Sequence, residues 1–127
     1  MPENVDGVAL RLTVNGTAVE ASMVDNATAR EFCTLLPLTI RMSDMLGREA
    51  YGSGLPAVLT AEAPRRTDYK AGELVYWPPT NGIAVYYKVA GSPVPEPGLI
   101  PLGRITRGLE AFQLTGGAAD VTIDVAE

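Results

Sequence analysis

The chain has 127 residues, of which 46% are hydrophobic and 20% charged, and it carries a formal net charge of −5 with no histidine. That length suits one ordinary domain, the apolar share is too high for a disordered chain, and the acidic balance disfavours nucleic acid or anionic membrane as partner. The absence of histidine excludes Ser-His-Asp and Cys-His nucleophilic centres, histidine acid–base chemistry and histidine-ligated metals.

The expectation is therefore a single domain over residues 1–127, with a core at about 9–126. Cys33 is the sole cysteine, which rules out an internal disulfide and fits a reducing compartment. The N-terminus is acidic and lacks a signal-peptide core, and no apolar run approaches the ~20 residues of a membrane helix, so the reading is cytoplasmic. No phosphate-cradling glycine motif or calcium-loop pattern occurs. No metal, no cofactor and no catalytic residue is implied.

In chain order, Ala9 to Val14 alternates, with Leu10, Leu12 and Val14 on one face. Asn15-Gly16 follows, the strongest short hairpin signal. Thr17 to Val24 alternates again, with Val19, Ala21 and Met23 together. Asn26 is the expected N-cap of a helix of about ten residues, and Thr28 with Glu31 has capping-box spacing. Ala29, Phe32, Cys33 and Leu36 recur at helical spacing before Pro37 ends the helix. Cys33 on that apolar face reads as a structural thiol.

Leu38 to Met42 alternates as a strand. From Ser43 to Pro64, glycines and a proline break the pattern, with Ala57 to Ala63 the one strand candidate; Pro64 to Gly72 is a polar loop. Glu73 to Trp77 and Ile83 to Val89 are two arms joined by Pro78-Pro79-Thr80-Asn81-Gly82. Gly91 to Gly98 holds three prolines and is an irregular loop. Leu99 to Thr106 is extended, Gly108 to Phe112 makes one helical turn, Gly116-Gly117 turns the chain, and Val121, Ile123 and Val125 lie on a closing strand. Seven or eight short strands at this spacing, with so little helix, indicate a barrel or a sandwich.

The ordered set Asp25-Asn26-Ala27-Thr28-Ala29-Arg30-Glu31-Phe32, Leu35-Leu36-Pro37-Leu38, Ala71-Gly72-Glu73-Leu74-Val75-Tyr76-Trp77-Pro78-Pro79, Ile83-Ala84-Val85-Tyr86-Tyr87 and Ile100-Pro101-Leu102-Gly103-Arg104-Ile105 resembles the small bacterial and archaeal cyclophilin-like fold proteins. The resemblance runs from about Ala9 to Phe112. It implies a mainly β fold, a closed or nearly closed eight-stranded antiparallel barrel with one or two short capping helices. The function of these proteins is largely unassigned, and their relation to the peptidyl-prolyl isomerases called cyclophilins is one of fold, which does not carry function.

Tyr76, Trp77, Tyr86 and Tyr87 put four aromatics on two strands expected to pair. They serve core and cross-strand packing or line a groove. Alternation places Tyr76 with Tyr86 on one face and Trp77 with Tyr87 on the other. Arg41 and Arg104 lie opposite the apolar positions of their strands, either solvated or aimed into a pocket as donors to a carboxylate or carbonyl. These six residues are the candidate ligand contacts.

Three functions fit. The first is a non-catalytic binding module for a peptide segment or small carboxylate. The second is a prolyl isomerase, which lowers an amide barrier of ~18–20 kcal/mol without needing histidine. The cyclophilin site combines an arginine, a phenylalanine-containing proline pocket and a glutamine donor. This chain offers only Phe32, Phe112 and Gln113, the two phenylalanines in expected helix, and has neither Phe-His-Arg nor Ser-Gln-Phe-Phe. The third is a structural or assembly subunit, a homo-oligomer self-associating through the Ser92–Pro97 loop or through open barrel edges.

Overall fold

A computed structural model describes residues 4–45, 47–88, 98–114 and 117–126. Strands β1 (Ala9–Val14) and β2 (Thr17–Met23) form the expected hairpin. Asn15 and Gly16 take φ of 49° and 80°, the left-handed pair that matches the twist of the flanking strands. Leu10, Leu12, Val14, Val19, Ala21 and Met23 all face inward and are buried.

Helix α1 (Ala27–Thr34) follows. The Asn26 side chain caps it, accepting from the Ala29 N–H at 2.8 Å. Thr28 and Glu31 do not form the capping box. Thr28 Oγ1 donates to the Thr60 carbonyl at 2.6 Å and Glu31 Oε1 accepts the Thr60 N–H at 2.7 Å, so both fasten a distant segment to the helix. Ala29 and Phe32 join the barrel core; Cys33 is half-buried, and burial pushes its thiol pKa up.

Six further strands complete the sheet: β3 (Leu38–Met45), β4 (Glu49–Gly52), β5 (Glu73–Trp77), β6 (Gly82–Tyr86), β7 (Ile100–Arg107) and β8 (Ala118–Val125). Round the barrel the order is β1-β2-β7-β5-β6-β4-β3-β8, closing on β1, with every neighbouring pair antiparallel. Because β8 pairs with both β1 and β3, closure removes the open barrel edges on which the assembly reading partly relied.

Three expectations need correction. Ala57 to Ala63 holds no strand; the strand of this region is β4, earlier in the chain. The strand after the Pro-Pro turn ends at Tyr86. Tyr76 and Tyr86 do not share a face: β5 pairs with β6 so that Trp77 lies opposite Gly82 and Tyr76 opposite Ile83. Val89, the loop from Gly91 to Pro97, with its Ser92–Pro97 segment, and Gly116 lie outside the described residues.

The barrel interior is one cluster that includes Leu10, Leu12, Leu74, Tyr76, Ile83, Val85, Ile100 and Leu102. Full burial of each such aliphatic side chain is worth about 1.5–3 kcal/mol. A second cluster, Tyr69, Val75, Ala84, Tyr86 and Leu99, lies on the outer face of β5 and β6. Tyr69 brings the chain between β4 and β5 into it, and that chain is pinned where Arg66 and Leu99 exchange two backbone hydrogen bonds of 2.8 and 2.7 Å. Among the described residues no helix is long and apolar enough to cross a membrane.

Candidate functional site

Strands alternate their side chains between two faces, so an inner set at Leu74, Tyr76, Ile83 and Val85 forces an outer set at Val75, Trp77, Ala84 and Tyr86. Where β4 joins β6, Tyr51 stands opposite Ala84 and Glu49 opposite Tyr86. A pocket of about 340 Å³ opens on this outer face. Val75, Ala84 and Leu99 make its floor, small enough to leave space above them. Trp77 and Tyr51 stand half-buried at its sides, and the Tyr51 hydroxyl is hydrogen-bonded to Thr80 Oγ1.

One end is polar. Arg48 and Glu49 line it and form an ion pair, Nε to Oε1 at 2.9 Å, with side chains only 12% and 8% exposed. The Tyr86 hydroxyl also lies close enough to the Glu49 carboxylate to interact with it. Tyr86 stacks on Tyr69 with ring centroids 4.0 Å apart, and the Arg48 guanidinium sits over both rings at 5.2 and 5.7 Å. Arg48 Nη1 donates to the Tyr69 hydroxyl at 3.3 Å. Burial raises the Glu49 pKa above the ordinary carboxylate range, with Asp44 adding to the rise and Arg48 opposing it. Burial likewise raises the Tyr86 hydroxyl, and the neighbouring Glu49 charge adds to it.

The six residues singled out in the sequence are dispersed by the fold. Trp77 and Tyr86 meet in this pocket. Tyr76 points into the barrel, where its hydroxyl donates to Asn81 Oδ1 at 2.6 Å. Tyr87 lies just past β6, packs against the barrel core and donates its hydroxyl to Asp44. Arg41 is exposed on β3, outside the pocket walls, in a 3.1 Å ion pair with Asp120 in which both side chains are about two-thirds exposed. Such a pair contributes about 0–1 kcal/mol. Arg104 is exposed on β7, across from Ser22 and Glu73, outside the pocket walls.

Sequence reasoning missed Arg48, Glu49 and Tyr51, which lie in the stretch where glycines obscured any period. The available signal was the short alternation of Glu49, Ala50 and Tyr51. A second pocket, of about 460 Å³, lies between Asn26, Pro64, Arg66, Glu73 and Pro101, and the Arg66–Glu73 ion pair occupies its wall. Among the described residues no group of three or more Cys, Asp or Glu side chains is placed to hold a metal ion.

The described pocket sits in a chain that has recognisable relatives. The model of the Cyclophilin-like family matches residues 12–124, so the chain belongs to that family. A hypothetical protein of Archaeoglobus fulgidus, known from its solution structure, superposes with a TM-score of 0.72 at 18% identity, covering 98% of both chains. That likeness is one of fold. Among curated proteins no sequence matches this one.

Proposed function

We propose that this member of the Cyclophilin-like family is a binding protein that takes an apolar group, from a peptide segment or a small molecule, into the outer pocket of β4, β5 and β6. The observation that carries the reading is a preformed concave apolar site with a single polar end built from a buried ion pair. Its aromatic walls stand on paired strands beside the Pro78–Pro79 turn, so little conformational freedom is lost on binding. Holding a ligand needs no proton-transfer group, which agrees with a chain lacking histidine.

Trp77 is the only tryptophan and lines the pocket, so its emission reports occupancy directly. Small aromatic and aliphatic fragments are expected to shift that emission in the wild-type protein. Ala84→Leu extends a side chain from the pocket floor into the open space and is expected to weaken the response at least tenfold with the fold retained. Arg41→Ala and Arg104→Ala are expected to leave it unchanged. An undiminished response in Ala84→Leu sinks this assignment of the site.

The isomerase alternative has little support from this pocket. Phe32 and Phe112 are fully buried in the barrel core, and Gln113 is exposed beyond the 3₁₀ turn Leu109–Phe112. In a protease-coupled assay on a proline tetrapeptide at micromolar protein, the expected rate is the uncatalysed one. Acceleration that Ala84→Leu removes replaces the binding reading with catalysis at the same site.

A further inference from the structure

The polar end of the pocket selects among ligands by charge. Arg48 and Glu49 are both nearly buried, and their charges largely cancel each other. An incoming carboxylate must shed its water and then meets Glu49. An incoming ammonium meets Arg48. Neither ion finds an uncompensated counter-charge to offset its lost hydration.

A neutral polar group escapes that cost. An ionised carboxylate accepts at about four lone-pair positions on two oxygens. Glu49 uses one for the Arg48 Nε–H, and the Tyr86 hydroxyl stands beside another. The rest of its acceptor capacity borders a pocket whose other walls are aromatic and aliphatic. The complementary ligand brings a neutral N–H donor on an apolar body.

Building on the binding reading, we propose that the outer pocket recognises a carboxamide: Glu49 accepts the amide N–H while the apolar body fills the space between Trp77, Tyr51 and Val75. The buried ion pair then acts as a selectivity element. It admits an uncharged amide and rejects the carboxylate of the same shape. This reverses the weight given to small carboxylates, because the arginine in the pocket is already matched by an acid.

The test is a matched series read by Trp77 emission: 3-phenylpropanamide, 3-phenylpropanoate, propylbenzene and N-acetylphenylalanine methylamide. Both amides are expected to bind at least tenfold more tightly than the carboxylate and the hydrocarbon. Tighter binding of the capped amino acid identifies a peptide backbone as the source of the amide, and tighter binding of the primary amide a small molecule. Glu49→Gln removes the repulsive charge while keeping the shape, and is expected to raise carboxylate affinity until the discrimination is lost. If propylbenzene or the carboxylate matches the amides in the wild-type protein, the amide proposal fails while the pocket stands. If no member of the series shifts the emission, the binding reading fails with it. The wild-type ranking decides the matter even where Glu49→Gln does not fold.

Discussion

Replacing Arg48 by methionine is expected to cost about 3–5 kcal/mol of stability near neutral pH, and much less in acid. Methionine retains the length and apolar contact of the arginine stem but leaves Glu49 charged, nearly buried and without its counter-ion. Burial already places the Glu49 pKa above its ordinary value while Arg48 holds it down, so loss of Arg48 moves it further up. A carboxyl whose pKa is higher folded than unfolded binds more protons in the folded state. Its contribution is complete below the unfolded value of ~4.3 and is lost as pH rises through the folded one. The variant's deficit therefore shrinks as pH falls into that window. Urea unfolding of both proteins at about pH 7.5 and about pH 5 measures this, and an equal deficit at both pH values refutes the role of the buried pair.

Asn81→Ala is expected to lower stability by about 3 kcal/mol, and Tm by on the order of 10 °C. Asn81 follows the 3₁₀ turn Pro78–Thr80 in the left-handed region at φ 53°, which costs alanine about 1 kcal/mol or more. Its side chain also joins two parts of the molecule. Nδ2 donates to the Leu55 and Ala57 carbonyls at 3.2 and 3.0 Å, and Oδ1 accepts the Tyr76 hydroxyl from inside the barrel. Removing the amide leaves the buried Tyr76 phenol only its 3.5 Å contact with the Leu59 carbonyl and releases the segment at Leu55 and Ala57 from the turn. Asn81→Gly relieves the backbone but restores none of these bonds, so it is expected to recover only about 1 kcal/mol. Thermal unfolding of the two variants separates the terms; full recovery by glycine means that the side-chain bonds contribute nothing.

Much of the barrel was legible because its strands are buried on one side. Along β1, β2 and β8 the inner positions are apolar and the outer ones largely polar, and a period of two assigns the faces without ambiguity. Asn15-Gly16, Asn26 and Pro37 mark their turn, cap and stop by local chemistry that tertiary packing did not override. On β5 and β6 that logic fails. Leu74, Val75 and Tyr76 are all buried, as is every residue from Gly82 to Tyr86, because the second cluster covers the outer face. Where both faces are apolar, alternation does not tell which aromatic points inward, and the pairing of Tyr76 with Tyr86 went astray for that reason. Strand β4 escaped notice at four residues, beside charges that ordinarily stay in water.

By itself, then, the sequence determined the class of fold, the family likeness, the N-terminal hairpin, the capped helix and the exclusion of histidine chemistry. Each rests on neighbouring residues or on composition, and needs no knowledge of distant partners. Only the tertiary structure decided where a pocket lies. The pocket is assembled from β4, β5, β6 and Leu99, which are distant in the chain, and its polar end joins Arg48 and Glu49 to Tyr69 and Tyr86. Burying that ion pair depends on the pairing of β4 with β6 and on Tyr69 packing against Arg48 and Tyr86, and both are long-range contacts.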